Sequence, residues 1–262
     1  WAELGAEGWE WARVLPYFKT SEGNVRGHDD VHGADGPLQV AEQSEPRPIT
    51  HAFVDAAAQQ QVRINDDFNG PRQEGVGLYQ VPQPHQGPAR GERCSAAAAY
   101  LPMSVQARSN LTILTRAVAH KVEMEATRAI GVRIKHQGKV KLVQAGREVI
   151  LSGGAFGSPQ LLLLSGIGPR DELAQHGIDV VHELPGVGQN LQEHLDYIIS
   201  YHSKRDDVVG LNPSGLLALA KAGLQWRKTG TGHFASPFAE AGAFLRSDPS
   251  VDRPDLQLHF VV

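Results

Sequence analysis

The sequence predicts a mixed fold, part α/β and part α+β, and three observations predict it. The short apolar run Glu148-Val149-Ile150-Leu151 passes through Gly153-Gly154 into a helix, and strand, glycine turn, helix is the unit from which nucleotide-binding sheets are built. Residues 129–134 and 139–143 are β-like runs that flank Gln137-Gly138, which reads as a hairpin. Two alternating runs follow at 239–246 and 256–262, each with the two-residue period of a strand.

The elements follow in chain order. Trp9, Trp11, Val14, Leu15, Tyr17 and Phe18 have helical spacing, with a break expected near Pro16. Residues 21–50 are rich in Gly and Pro and read as loop or lid. Ala52, Phe53, Ala56, Ala57 and Gln60 predict a helix over 51–63, and 66–92 return to irregular structure. A helix is expected over 95–107, where Ala96 to Ala99 supply propensity. Residues 111–115 alternate and read as a strand. Residues 148–151 are expected to be a short buried strand. The helix after it starts near Ser158-Pro159, where a proline costs nothing because a first-turn N–H is unpaired anyway, and it ends at Gly166. A last helix is expected over 216–226, before a Gly/Thr turn.

A chain of 262 residues holds one large domain or two smaller ones. Its 41% hydrophobic and 21% charged residues exclude a disordered chain. The formal charge of −4 carries no basic excess for nucleic acid or an anionic membrane. No apolar run is long enough to span a bilayer, and no signal peptide is visible. Cys94 is the single cysteine, so it has no disulfide partner within the chain. That suits a reducing compartment, and a cytoplasmic location is expected, with membrane association of a longer parent left open. Of the twelve histidines, no pair forms a cluster such as His-Glu-x-x-His, and no metal site is expected. The chain opens at Trp1 and closes on an alternating run, so both ends are expected to be cuts in a longer chain.

The most specific stretch is Gly154-Ala155-Phe156-Gly157-Ser158-Pro159-Gln160-Leu161-Leu162-Leu163-Leu164-Ser165-Gly166-Ile167-Gly168-Pro169. Small residues before Ser158 let backbone approach a ligand. Ser158 can cap the helix, whose first N–H groups suit anionic oxygens. A tight strand-to-helix turn with no ligand is the alternative. This stretch resembles the second signature of the glucose–methanol–choline (GMC) flavoenzymes. Leu184-Pro185-Gly186-Val187-Gly188-Gln189-Asn190-Leu191-Gln192-Glu193-His194 resembles that family's downstream loop. Gly5-Ala6-Glu7-Gly8-Trp9 with Leu15-Pro16-Tyr17-Phe18-Lys19 is similar to its segment after the flavin-contacting loop, and Asn110-Leu111-Thr112-Ile113 with Ala117-Val118-Ala119 to the segment along the adenine. The resemblance covers essentially the whole chain, in four ordered blocks.

The resemblance implies an FAD-binding Rossmann-like domain, incomplete here, over 1–45 and 91–194. It implies a substrate domain built on an antiparallel sheet over 46–90 and 195–262. It implies FAD as cofactor, a small-molecule alcohol as substrate, and hydride transfer from its CH–OH group to flavin N5, and it leaves the electron acceptor open. No Gly-x-Gly-x-x-Gly fingerprint is present, since Gly186-Val187-Gly188 is followed by Gln189-Asn190-Leu191. In the family that fingerprint lies N-terminal to this stretch, and the catalytic histidine with its His or Asn partner lies C-terminal to Val262. No catalytic residue is therefore expected within the chain, and the isolated chain is expected to be inactive.

Ala119, Val118, Gly154 and Ala155 are the expected cofactor contacts. Asn190 and His194 are expected to shape the loop at the domain boundary. Three residues are candidates for the substrate pocket. His259 is either a hydrogen-bonded core histidine or, by resemblance, a residue that helps hold the substrate oxygen. Asp196 is either a solvated loop acid or the counterpart of an acid that faces the ammonium group in choline-using relatives. Glu240 is either a pocket residue or a strand-edge charge. A trimethylammonium group is best held by aromatic faces. The position that resembles an aromatic cage wall is Ala239 here, and Asp196 is shorter than Glu; Phe234 and Phe238 could compensate. An uncharged alcohol is therefore expected in preference to choline. Choline dehydrogenase proper is the second reading, and a non-catalytic truncated remnant is the third.

Overall fold

The computed structural model describes residues 1–262 apart from 204, 206, 207, 209 and 211. Its elements run α1 (Trp11–Ser21), β1 (Glu22–Asn24), β2 (Leu38–Val40), α2 (Pro48–Gln59), β3 (Gly75–Leu78), α3 (Ala96–Tyr100), α4 (Met103–Gln106), β4 (Ala117–Glu125), β5 (Arg128–His136) and β6 (Lys139–Gln144). They continue with α5 (Gly154–Leu164), β7 (Ile167–Gly168), α6 (Arg170–Gln175), β8 (His182–Glu183), α7 (Pro213–Thr229), β9 (Ala239–Leu245) and β10 (Leu256–Val261). The chain divides into two compact units, one of Trp1–Arg108 with Tyr201–Val262, the other of Ser109–Ser200.

The first unit is organised by an antiparallel sheet in the order β10-β9-β3. Its central strand β9 is built of small residues, and Ala241 and Ala243 are buried. On one side Phe53 of α2 stacks on Phe260 of β10, with centroids 4.6 Å apart. Helix α2 starts with Pro48 in its first turn, where the missing N–H costs nothing. Helix α7 is bounded at both ends. The Asn212 side chain accepts from the N–H of Gly215, and Gly230 closes the helix in the left-handed region, the signature of a capped helix. Trp226 of α7 donates its indole N–H to the Gly91 carbonyl at 3.0 Å. Cys94 is buried and takes the Gln39 N–H on its sulfur.

The second unit is a three-stranded antiparallel meander, β4-β5-β6, with α5 packed on β4. The hairpin turn lies at Gln137-Gly138, both in the left-handed region, as the tight turn requires. Parallel pairing joins β1 with β2 and β7 with β8, and Ile64 forms an isolated parallel bridge with Val76.

Several local expectations are corrected. The stretches 21–50 and 66–92, expected to be irregular, contain the short strands β1, β2 and β3. Helix α1 is not broken near Pro16 but runs through it. The cost is one hydrogen bond to the Ala12 carbonyl, which lies on an exposed residue where water can replace it. The expected helix over 95–107 splits at Pro102, which caps the short α4 and pushes the residue before it out of helical geometry. Residues 111–115 form no strand. Residues 148–151 form none either, and Ile150 is 77% exposed. The apolar pattern is that of a buried strand, but a strand exists only when paired, and these residues pair with no described strand. Finally, α5 begins at Gly154 rather than near Ser158. Ser158 is therefore inside the helix, where its hydroxyl accepts the Gly153 N–H at 2.8 Å, and Pro159 lies in the second turn.

Candidate functional site

Within the second unit, the expected cofactor contacts lie on β4 and at the start of α5. Val118 and Ala119 are exposed on β4, an edge strand, just before a register shift between Ala119 and Lys121. Gly154 has φ 76°, a left-handed conformation that costs a side chain roughly 1–2 kcal/mol. Helix α5 is anchored at its other end. Ser165 is fully buried; its hydroxyl accepts the Val122 N–H of β4 at 2.8 Å and donates to the Leu161 carbonyl at 2.5 Å. That fixes the C-terminal end of α5 to the middle of β4, and the glycine turn stands ~16 Å away along the helix axis.

The local geometry fits a group that approaches the turn from outside. A Cβ at Gly153 would lie 2.9 Å from the Gly157 carbonyl carbon and the Ser158 nitrogen, so the tight turn itself explains that glycine. A Cβ at Gly157 would meet nothing within 4 Å. The chain's own packing does not account for Gly157, and the turn is solvent-facing, with Phe156 74% exposed. A large planar cofactor laid against this turn would account for both.

Ser165→Ala tests the anchor. It leaves the Val122 N–H buried without its partner, which is expected to cost about 1–3 kcal/mol. The check is hydrogen exchange: the Val122 amide should exchange faster, with the amides of the β5–β6 hairpin little changed.

The three pocket candidates fall in both units. Asp196 lies in the second unit, in an extended exposed segment, residues 190–200, which opens with Asn190 in the left-handed region. The His194 N–H bonds the Glu193 carboxylate. His259 and Glu240 belong to the first unit, on β10 and β9. Glu240 is not a strand-edge charge, because β9 is the central strand and Glu240 is fully buried. It pairs with the guanidinium of Arg47 at 2.8 Å, and accepts from the Arg47 N–H at 2.8 Å, the Thr50 hydroxyl at 2.6 Å and the Ser236 hydroxyl at 2.8 Å. Burial pushes its pKa up, but the hydrogen bonds from Thr50, Arg47 and Ser236 and the charge of Arg47 outweigh it and hold the carboxyl below its ordinary value. The same guanidinium lies 5.7 Å above the Phe238 ring.

His259 is exposed and sits in register with Gly242 of β9, which in turn pairs with Gly77 of β3. Tyr79, just beyond β3, is a residue the sequence reading missed. Its hydroxyl lies 3.1 Å from the Leu258 carbonyl and 3.4 Å from His259 Nδ1, and its N–H bonds the Glu240 carbonyl at 3.1 Å. Tyr79 thus touches both strands that carry pocket candidates. A contact between positions 79 and 259 leaves no local trace in a sequence. The available signal was an aromatic residue after Gly-Val-Gly-Leu, a stretch too glycine-rich to pack without help.

Comparison with known proteins places the chain. The family model described as GMC oxidoreductase matches residues 1–196. An "Oxygen-dependent choline dehydrogenase" of Sinorhizobium fredii (strain NBRC 101917 / NGR234) is 43% identical over all of this chain and 46% of its own length. The chain thus spans about half the length of the curated relatives it matches. Pyridoxine 4-oxidase from "Mesorbium loti" is 31% identical over 69% of this chain and 35% of that one, with a TM-score of 0.63. An FAD-dependent oxidoreductase from Chaetomium thermophilum shares the fold with a TM-score of 0.78, over 93% of this chain and 44% of that one at 24% identity. Among the described residues, no helix is long and apolar enough to cross a membrane. The glycine turn at the head of α5, the antiparallel sheet of the first unit and these matches agree, and the chain belongs to the GMC oxidoreductase family of FAD-dependent enzymes.

Proposed function

We propose that the whole protein is an FAD-dependent oxidoreductase that oxidises the CH–OH group of a small alcohol. This chain would supply part of the FAD-binding domain, residues 1–45 and 91–194, and part of the substrate domain, residues 46–90 and 195–262. The observation that carries the reading is the open space over Gly157, beside the left-handed Gly154, in a chain of this family. FAD, when bound, supplies the hydride acceptor. Val118, Ala119, Gly154 and Ala155 would line it with backbone and small side chains, so that no long side chain competes for the space. Within the first unit, His259 would hold the substrate oxygen, and Glu240 would fix the sheet that carries it; Asp196 is kept as a candidate acid of the second unit. No residue of this chain is assigned the role of base. The lone buried Cys94 supports a cytoplasmic location.

An uncharged alcohol is the substrate class we favour. Residue 239 is alanine, and one aromatic face that could have received a trimethylammonium group, Phe238, already lies under the Arg47 guanidinium. A second cation there would face like charge. Choline is the second reading, favoured by the names of the relatives at 40–43% identity. The full-length protein, purified with its flavin, separates them. A simple primary alcohol is expected to bleach the flavin anaerobically and to show kcat/KM at least about 10-fold above that for choline, roughly 1.4 kcal/mol of discrimination. A higher value for choline overturns the preference. A full-length protein that holds no FAD would leave only the remnant reading.

A further inference from the structure

We propose that Tyr79 is a positioning residue that fixes the tautomer of His259, leaving Nε2 as a hydrogen-bond acceptor for a substrate hydroxyl. The role of His259 in the pocket rests on the function proposed above; the tautomer does not.

A tyrosine hydroxyl has one proton to donate and lone pairs to accept. The Tyr79 hydroxyl sits 3.1 Å from the Leu258 carbonyl, which can only accept, so the proton lies there. The alternative places two acceptors face to face. With its proton committed, the hydroxyl oxygen can meet His259 Nδ1 at 3.4 Å only as an acceptor. Nδ1 then carries the hydrogen, and in the neutral ring Nε2 is bare. Burial raises the Tyr79 pKa above its ordinary value, which keeps the hydroxyl protonated and able to donate. The oxygen thus sends one proton to the Leu258 carbonyl and receives one from the imidazole.

The ring is held in place for this. Phe68 packs against Tyr79 at 5.5 Å and against Phe244 at 5.0 Å. The hydroxyl occupies the space above Gly242, where a Cβ would come 1.9 Å from it. Gly77, Gly242 and His259 share one rung of the sheet. The space over Gly77 is filled by the Asn65 carbonyl, and the space over Gly242 is the one that the tyrosine uses to reach the imidazole.

The experiment is a long-range ¹H–¹⁵N spectrum of the full-length protein labelled with ¹⁵N-histidine, with His259→Asn to assign the signal. It is recorded at a pH where the signal shows a neutral ring. His259 is expected as the Nδ1–H tautomer. In Tyr79→Phe, which keeps the aromatic packing, the signal should move toward the Nε2–H form. KM for the alcohol should rise about 3- to 10-fold with kcat changed less, the pattern of one lost ground-state hydrogen bond. A wild-type His259 in the Nε2–H form overturns the proposal, and that spectrum decides even where the variant fails to fold. A tautomer that Tyr79→Phe does not move also overturns it. A tautomer set by Tyr79 in a protein that turns over no alcohol upholds the positioning role and defeats the proposed function instead.

Discussion

Replacing Glu240 with alanine is expected to destabilise the unit that contains it by about 3–5 kcal/mol, the cost of leaving one partner of a buried ion pair uncompensated. The size follows from what the carboxylate serves. It takes the Arg47 guanidinium, the Arg47 N–H and the hydroxyls of Thr50 and Ser236, and Arg47 and Thr50 are themselves 3% and 0% exposed. None of these groups gains water when the carboxylate goes. Glu240→Gln keeps the shape and removes the charge, so the guanidinium remains buried without its counter-ion and most of the loss should persist. Urea unfolding followed by tryptophan fluorescence reads the right unit, because Trp1, Trp9, Trp11 and Trp226 all belong to it. The expected result is a lower midpoint with an unchanged slope. The pH dependence has a definite sign. Glu240 is held below its ordinary value of 4.5 in the folded state. Its contribution is therefore complete above about pH 4.5 and is lost as the pH falls through the lower folded value. The wild-type protein should lose stability more steeply in that acid range than Glu240→Gln. Equal acid sensitivity in both would show that the pair contributes little.

Glu240 also shows what a sequence can and cannot disclose. The run Ala239-Glu240-Ala241-Gly242-Ala243 alternates, and it was legible as a strand. The burial of Glu240 was not legible, because a glutamate in a strand is ordinarily a solvent-facing or edge charge unless it is paired. Its partner was not legible, because Arg47 stands in a Pro-rich connection 193 positions away. The hairpin of β5 and β6 was legible because its turn and its periodicity are local. The body and end of α5 were legible for the same reason, but its start was not. The sequence offers Ser158-Pro159 as a first turn, and the helix instead begins at Gly154, with Ser158 bonding back to Gly153. Residues 148–151 have the composition of a buried strand and no described partner. Composition encodes the preference of a strand, and pairing decides whether one exists. Of the candidate site, the small residues of the glycine turn could be picked out by motif. The Tyr79–His259 contact joins elements 180 positions apart and belongs to topology.

Gly242→Ala is expected to cost about 3 kcal/mol, the upper end of the range for overpacking a close-packed interior. The added Cβ would lie 1.9 Å from the Tyr79 hydroxyl oxygen and 2.4 Å from both its ring carbon and the Leu258 carbonyl oxygen. The tyrosine could swing away, but the carbonyl is backbone of β10, paired with β9 in register, and it can move only by opening the sheet. Glycine in a central strand ordinarily weakens it. Here the missing side chain makes room for one that arrives from the neighbouring strand. Unfolding by urea, again read by tryptophan, tests the size of the effect. A double-mutant cycle tests its cause. Tyr79→Ala removes two of the three close contacts, so Gly242→Ala combined with Tyr79→Ala should cost less than the sum of the two single changes. Additive losses would mean that the Leu258 carbonyl alone sets the penalty, and that Gly242 is kept for the sheet rather than for the tyrosine that reaches His259.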